Sequence, residues 1–379
     1  MFKRHSTRST VPLAVLTAAM ILLVPALGSG LVYTGTIAPA APAEKAATHD
    51  AGGVTCLEFP VATFSIVGCD PETGELGVAV QSKFFAVGAV VPWAKAKAGA
   101  IATQAFGNTT YGPKGLELLA AGKTPSEVIE ALTSADDGKD RRQVGMVDAR
   151  GNAATYTGKG CNAWAGGRTG KYYAAQGNIL VGEPVLDAMC QAFETTRGEL
   201  ADRLLAALVA GQAAGGDSRG QQSAALVVVK EGGGYGGFND RYIDLRVDDH
   251  PEPIKELGRL LEIQHYISKI LQAYNLSREG KHEEAVAAAR KAVEYKPDAG
   301  EAHYDLACFL SLGGRTEESL TSLETALKLS PKLASLAETD ADFENVRPDA
   351  RFGKLLATAK TVLEGAEKEK TGEEKPGKK

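Results

Sequence analysis

The chain has 379 residues, of which 44% are hydrophobic and 23% are charged, and its formal net charge is -5. This length predicts two or three domains, and the composition is that of a globular protein with a hydrophobic core. The mild charge, with no stripe rich in lysine and arginine, argues against nucleic acid as a partner.

The N-terminus has the pattern of a targeting segment. Three basic residues among the first eight precede a run from Ser9 to Ala43 that contains no charged side chain. The stretch 11–27 is apolar enough to enter a bilayer, and the small residues at 41–43 resemble a cleavage site. We therefore expect residues 1–43 to be a signal peptide or a membrane anchor. The folded part would be exported to the periplasm or the cell exterior, or tethered to the membrane.

Residues 44–61 are predicted to be a linker, and residues 62–250 to form a glycine-rich domain in which pairs of strands alternate with pairs of helices. Strands joined in hairpins favour antiparallel sheets with helices packed outside them, and argue against a Rossmann arrangement. The predicted strands are 63–68, 75–80, 86–91, 98–105, 143–149, 153–158, 223–230 and 241–247. The predicted helices are 113–121, a second one from Pro125 to Asp136 with a capping box at Thr124 and Glu127, 183–196 and 199–211.

Residues 254–360 have a helical pattern with an internal repeat of 34 residues. Gly280 and Pro297 of the first copy recur as Gly314 and Pro331 of the second. This period resembles that of tetratricopeptide repeats, in which small residues let two helices cross closely. A helix before the repeats and residues after them would cap the array, and the charged tail 361–379 is predicted to be disordered.

No cofactor and no metal ion is predicted from the sequence. The five cysteines are irregularly spaced and the six histidines are scattered, without the spacing of zinc ligands. A GxSxG string at 216–220 follows a predicted helix and precedes a predicted strand, the reverse of a nucleophile elbow. The glycine-rich stretch 166–171 lacks the first glycine and the final Ser/Thr of a phosphate-binding loop.

Residues 62–262 resemble a bacterial family of unknown function that has the fold of N-terminal-nucleophile (Ntn) hydrolases. The matching strings include TFSIVGCDPETGELGVAVQSKF, AVGAVVPWA, RQVGMVDARG, WAGGRTG, YAAQGNIL, AGGDSRGQQSAALVVV and GGYGGFNDRYIDLRVDDHP. The resemblance implies an α+β fold, a four-layer αββα sandwich, here followed by an all-α segment of tetratricopeptide type.

The resemblance also implies a chemistry centred on Thr63. In Ntn hydrolases a threonine, serine or cysteine at a free N-terminus attacks a carbonyl, and its own α-amine takes the proton. Because Thr63 follows Ala62 and a long leader, the bond between them would have to be cut. The implied catalytic set is Thr63 as nucleophile, Lys83 to lower the pKa of the amine and steady the oxyanion, Asn178 to donate to the oxyanion, and Asp217 in a glycine-flanked loop.

Further polar residues of the domain are candidates for binding a substrate, and these are Gln104, Asn108, Arg219 and Gln222. The alternative for each is a structural role, in which the buried polar groups satisfy one another and the backbone. The role given to Lys83 is also open to Lys95 and Lys97.

Two functions from different classes remain open. The first is an exported amidohydrolase of Ntn type acting on a small amide substrate, with repeats that bind a protein partner. The second is a non-catalytic binding or scaffold protein in which both parts recruit partners. Self-association into a homo-oligomer through the repeats is a further expectation, nucleic acid is not an expected partner, and a membrane is expected only through an uncleaved leader.

Overall fold

The structure is a computed structural model that describes residues 63–371, with side chains through residue 366. Before Thr63 it describes only two short strands, β1 (Asp50–Ala51) and β2 (Val54–Thr55), which pair antiparallel inside the predicted linker. The predicted targeting segment lies outside the described residues.

Two antiparallel sheets form the centre of the α+β part. The six-stranded sheet has the order β12 (Arg241–Val247), β11 (Ser223–Val229), β4 (Glu75–Ser82), β3 (Thr63–Asp70), β10 (Tyr173–Asn178) and β9 (Gly166–Gly170). The four-stranded sheet has the order β5 (Pro92–Lys95), β6 (Gly99–Ala105), β7 (Arg142–Asp148) and β8 (Ala153–Thr157).

A pair of helices covers the outer face of each sheet. Helices α1 (Tyr111–Ala120) and α2 (Pro125–Ser134) pack on the four-stranded sheet, and α3 (Pro184–Thr195) and α4 (Leu200–Ala213) pack on the six-stranded sheet. The capping box that starts α2 is present. The layers are therefore helix, sheet, sheet and helix, and the α+β four-layer fold predicted from the sequence is confirmed.

The residues of β3 alternate between two hydrophobic cores. Phe64 and Ile66 pack against α3 and α4, whereas Val67 and Cys69 belong to the core between the two sheets. Because successive side chains of a strand point to opposite faces, Thr63 and its neighbour at position 65 also face the other sheet.

The prediction of a strand over residues 86–91 is wrong. It contains a short 3-10 helix, Val87–Ala89, and the strand β5 begins only at Pro92. The Val87 N–H donates to Ser223 Oγ at 3.1 Å instead of joining a strand ladder. A run of small apolar residues is compatible with either conformation, and here the tertiary contact decides.

Two strands, β9 and β10, were not predicted. The first has the sequence GGRTG and the second YAAQGN, and glycine and alanine are depleted in strands generally. β10 pairs with β3 and β9 pairs with β10, and this pairing supplies the order that their composition does not indicate.

The C-terminal part is all helical. It consists of α5 (Pro253–Arg278), α6 (His282–Tyr295), α7 (Gly300–Leu312), α8 (Thr316–Leu329), α9 (Leu333–Ala337) and α10 (Ala350–Thr371). Gly280 and Gly314 have φ of 77° and 72°, a left-handed conformation that suits glycine after a helix end. Helix α10 continues through Thr371, although a disordered tail was predicted from residue 361, because alanine, leucine, lysine and glutamate favour helix.

Helix α5 belongs to both parts of the molecule. Leu257 and Leu261 lie in the core beneath the six-stranded sheet, and Ile270 and Ala273 lie in the core of the repeats. Between them His265 is buried, with Nε2 2.8 Å from Asp202 Oδ1 at the start of α4. In the part of the chain described here, no helix is long and apolar enough to cross a membrane.

Candidate functional site

Four polar residues lie side by side at one end of the six-stranded sheet. The strand registers pair Ser223 with Ser82, Ser82 with Thr63, and Thr63 with Asn178. All four point toward the other sheet and are at most 1% exposed. We call this set the polar row.

The opposite sheet presents a matching set of side chains to the polar row. Gln104 and Gln143 are paired on β6 and β7, and Thr157 pairs with Gln143 from β8. Gln143 Oε1 accepts hydrogen bonds from Gln104 Nε2 at 2.9 Å and from Asn178 Nδ2 at 3.0 Å. Its Nε2 donates to Thr157 Oγ1 at 2.9 Å and to the carbonyl of Gly177 at 2.8 Å. Gln143 therefore joins the two sheets.

Thr63 occupies the centre of this arrangement. Its hydroxyl donates to Ser82 Oγ at 3.1 Å, and its carbonyl oxygen accepts from Gln104 Nε2 at 3.2 Å. The side chains around it are hydroxyls and amides, which supply hydrogen-bond donors without a fixed charge. Such a setting offers donors to a developing oxyanion.

A second tier of polar groups lies one step further into the sandwich. Ser65 donates from its hydroxyl to Gln104 Oε1 at 2.6 Å and accepts from Gln176 Nε2 at 2.6 Å. Gly145 makes room for this tier, since a Cβ at that position would lie 1.7 Å from Gln176 Oε1.

Four of the predicted site residues lie where β4 ends and β11 begins. Asp217 is 2% exposed and accepts from the backbone N–H of Lys83 at 3.2 Å and from Arg219 Nη2 at 2.9 Å. Lys83 is exposed, and its ammonium donates to the carbonyl of Gln221 at 3.1 Å. Gln222 donates from Nε2 to Asp249 Oδ1 at 3.1 Å. These contacts place Asp217 as the anchor of the loop and leave the Lys83 ammonium without a contact to Thr63.

The other two lysines lie at the far end of the sandwich. Lys95 pairs with Gly99 at the start of β6, whereas Gln104 stands near the end of that strand. Lys97 is bonded to the carboxylate of Glu231. Lys83 is therefore the nearest of the three predicted lysines to the polar row.

Asn108 belongs to a separate cluster around Asp136. Asp136 Oδ2 accepts from Arg142 Nε at 3.0 Å, from Tyr111 OH at 2.9 Å and from Asn108 Nδ2 at 3.1 Å. Burial raises the pKa of Asp136, but these donors, with the N–H of Gly138, outweigh it and lower the pKa to about 2. The amide of Asn108 is thus used to hold this carboxylate.

The structure therefore brings together Thr63, Gln104 and Asn178 of the predicted residues and adds Ser82 and Gln143, which were not predicted. Ser82 and Gln143 could have been identified from their positions in the alternating strand pattern. Each stands at an inward-facing position of a strand whose other inward residues are apolar or glycine. A polar residue on the apolar face of a buried strand needs a partner from another strand.

Two features of the repeats stand apart from this site. Cys308, Asp340 and Asp342 could each offer one metal ligand, with the ligand atoms within 4.8 Å of one another. A groove of about 550 Å³ lies between α8 and α10, and its floor includes Leu320, Leu327 and Leu355.

Comparison with known proteins agrees with this description. Residues 63–257 match a family of unknown function, DUF1028, and residues 268–299 and 300–333 each match the tetratricopeptide repeat. The α+β part followed by helical repeats thus defines a two-part protein. Because the first match covers half of the chain, the chain belongs to the DUF1028 family of unknown function.

One similar solved structure is the crystal structure of protein SPO2555 from Silicibacter pomeroyi, which is described as DUF1028. It is 36% identical, and the alignment covers 53% of this chain and 85% of that chain with a TM-score of 0.49. No curated protein matches the chain.

Proposed function

We propose that the sandwich is an Ntn-type hydrolase that cleaves an amide bond, with Thr63 as its nucleophile after the chain is cut between Ala62 and Thr63. One observation carries this proposal. Thr63 is the first residue of β3, and its hydroxyl lies in the row between Ser82 and Asn178, facing the opposite sheet. An N-terminal nucleophile must stand at the start of a strand with its side chain toward donors that can hold an oxyanion.

Cleavage between Ala62 and Thr63 would create the free α-amine that the reaction needs as its base. In the uncut chain the nitrogen of Thr63 is part of a peptide bond and is not a base. Once free, an α-amine with an ordinary pKa of about 7.7–8.0 can take the proton from Oγ. Oγ then bonds to the substrate carbonyl carbon, the carbon–nitrogen bond breaks, and the amine passes its proton to the leaving nitrogen. Water hydrolyses the resulting ester and restores the hydroxyl.

The neighbours of Thr63 supply the remaining roles. Asn178 donates one hydrogen bond, to Gln143, and an amide NH₂ carries two donors, so its second N–H can serve the oxyanion. Burial lowers the pKa of an amine and favours the base form. Lys83, the residue after Ser82, would strengthen this effect if its ammonium turned from the Gln221 carbonyl toward Thr63. Asp217 would keep the backbone of Lys83 in place.

The test combines the mass of the mature protein with an activity screen. We expect the chain purified from its native source to begin at Thr63. Against a panel of amides and N-acyl amino acids, Thr63→Ala should lose activity by at least about 10³-fold, while Thr63→Ser keeps part of it. Thr109→Ala, at an exposed position in the loop before α1, is the matched control and should leave the rate unchanged. A mature chain that retains residues 44–62 and is equally active with Thr63→Ala would contradict the proposal.

We also propose that the leader exports the chain or tethers it to the membrane, which would leave the folded part outside the cytoplasm. The charge-free run from Ser9 to Ala43 after a basic start supports this. In cells that produce a C-terminally tagged chain, we expect the tag in the periplasmic, secreted or membrane fraction. Recovery entirely from the cytosol, with Met1 intact, would count against export.

A second candidate function is the recruitment of a protein partner, without catalysis. Two observations favour it. The chain matches the tetratricopeptide repeat, which commonly mediates protein interactions. The residues of the polar row are at most 1% exposed, so a substrate has no direct access to them. The two functions are compatible, and the Thr63 variants separate them because recruitment through the repeats does not depend on that hydroxyl.

A further inference from the structure

The second half of α5 exposes a stripe of apolar side chains. Ile267, Leu271 and Tyr274 follow one another at spacings of four and three residues, which places them on one face of the helix. Their exposed fractions are 44%, 51% and 42%. Contiguous apolar side chains that remain exposed on a packed helix are typical of a surface that binds another molecule.

Helix α7 lies alongside this stripe and brings a carboxylate to it. Tyr266, the neighbour of Ile267, donates from its hydroxyl to Asp305 Oδ2 at 2.6 Å. The ring of Tyr274 packs edge-on against Phe309, with 4.9 Å between the ring centroids. Asp305 therefore stands beside the apolar stripe.

Two more carboxylates join Asp305 at the end of the stripe near Tyr274. Tyr304 OH donates to Asp340 Oδ2 at 2.7 Å, and Asp342 follows two residues later. Asp305, Asp340 and Asp342 form what we call the acidic group. Within the described residues, none of these carboxylates has a lysine, arginine or histidine nitrogen within 4.0 Å.

One cation lies close to the acidic group: Arg347 Nη2 donates to the backbone carbonyl of Asp340 at 2.7 Å. Burial raises the pKa of Asp342, and the charge of Asp340 adds to the rise. Burial raises the pKa of Asp305 to about 6, against the hydrogen bond from Tyr266, and the charges of Glu301, Asp340 and Asp342 add to the rise. Burial likewise raises the pKa of Tyr274, and the three carboxylates raise it further, so they lie within electrostatic reach of the stripe. A cation placed here would relieve the mutual repulsion of these groups.

We propose that this face of α5 and α7 binds an extended segment of another protein in which a lysine or arginine lies close to an apolar residue. The apolar side chain would cover Leu271 and Tyr274, and the cation would contact Asp305 and Asp342. Charge complementarity selects this occupant: a metal ion would neutralise the carboxylates but leave the stripe uncovered. The inference rests on the proposed recruiting role of the repeats and names the chemistry of the partner.

The test measures binding of labelled synthetic decapeptides to the full chain by fluorescence anisotropy. Three pools carry a fixed leucine and, two residues later, lysine, norleucine or glutamate, with the other positions randomised. We expect the lysine pool to bind more tightly than the other two. Asp342→Asn and Leu271→Ser should each weaken that binding by about fivefold or more. The matched controls, Glu130→Gln on α2 and Val209→Ser on α4, change an exposed carboxylate and an exposed apolar residue of the sandwich and should have no effect.

Asp305→Asn separates a binding role from a structural one. Because it removes a charge with no cationic partner and keeps an acceptor for Tyr266, it should raise the midpoint of thermal unfolding at pH 7.5 by roughly 2 °C while it weakens binding of the lysine pool. A fall in both quantities would mean that the carboxylate only supports the fold, and the inference would be overturned.

Other outcomes would overturn the inference in different ways. Equal binding of the lysine and glutamate pools, or tight binding unaffected by the aspartate variants, removes the charge argument but leaves the recruiting role standing. Binding of calcium or manganese alone to the acidic group, with displacement of the lysine pool, would make it a metal site. Self-association that Leu271→Ser abolishes, with no peptide bound, would assign the face to a second copy of the chain. Absence of binding by all three pools would count against both the inference and the recruiting role.

Discussion

Replacing Gln143 by leucine is expected to lower the free energy of unfolding by about 3–5 kcal/mol, although the two side chains are similar in size. The amide of Gln143 is fully buried and bonds to groups on both sheets. Without it, Gln104 Nε2 and Asn178 Nδ2 each lose an acceptor, and the carbonyl of Gly177 loses a side-chain donor. Gln104 Nε2 keeps the carbonyls of Thr63 and Gln176 as acceptors. The loss of a buried partner by Asn178 Nδ2 and by the Gly177 carbonyl costs about 1–3 kcal/mol for each group, so the total exceeds the value of one hydrogen bond.

Urea unfolding of the purified chain, monitored by circular dichroism, measures this effect. Gln191→Leu is the matched control, because Gln191 is exposed on α3 and its substitution should change the unfolding midpoint little. If Gln143→Leu were as stable as the control, the amide network would not be a major source of cohesion between the sheets. Gln143→Leu should also impair any activity that depends on Thr63, since Asn178 and Gln104 would lose their fixed positions.

The layers of the fold could be predicted because they depend on local patterns. Strands such as β4 and β11 carry uninterrupted apolar residues between clear turns, and α2 begins at a capping box. The strands β9 and β10 could not be predicted in this way, since their glycine and alanine residues are compatible with a loop. Their place in the sheet depends on pairing with β3, more than 100 residues earlier in the chain.

The candidate site could be predicted only in part, because its residues come together through strand pairing that the sequence does not show. Thr63 and Asn178 were accessible to sequence reasoning because one opens a strand and the other ends a glycine-flanked stretch. That they stand in register depends on the order of strands in the sheet. Ser82 and Gln143 are marked in the sequence only by their inward-facing positions on apolar strands, and the structure shows which groups their side chains meet. Conversely, the glycine-flanked Asp217 holds the backbone of a loop, a role that its sequence context does not distinguish from catalysis.

The helical part could also be predicted only in part from the sequence. The 34-residue period identified two helical pairs, because glycine and proline recur where each helix must end. The first repeat begins inside α5, and the period contains no information on the first half of this helix, which belongs to the sandwich core. A single helix shared by two cores is a consequence of packing, which a repeat period does not describe.

Asp136→Ala is expected to have an effect of similar size to Gln143→Leu, for an electrostatic reason. The side chain of Arg142 is only 3% exposed and that of Asp136 only 10% exposed. Removing the carboxylate leaves the guanidinium buried without this counter-charge, and it also removes the acceptor of Tyr111 OH and Asn108 Nδ2. Breaking a buried ion pair from one side typically costs about 3–5 kcal/mol.

The pH dependence of this loss separates the charge from the packing. The pKa of Asp136 is lowered to about 2 in the folded protein from an ordinary value of 3.8. The ionised form is therefore favoured by folding, and the stability it contributes is present above pH 4 and is lost as the pH falls toward 2. That part amounts to about 2 kcal/mol.

Urea unfolding of the unaltered chain, Asp136→Asn and Asp136→Ala at pH 6 and pH 3 measures both parts. We expect Asp136→Asn, which keeps the size of the side chain, to be clearly less stable than the unaltered chain at pH 6. At pH 3 the carboxylate is mostly protonated in the unfolded chain but still mostly ionised in the folded one, so roughly half of the charge-dependent part of that difference should be lost. Asp137→Ala, at the exposed neighbouring position, is the control and should change little at either pH. A deficit of Asp136→Asn that stayed constant between the two pH values would mean that hydrogen-bond geometry, and not charge, stabilises this cluster.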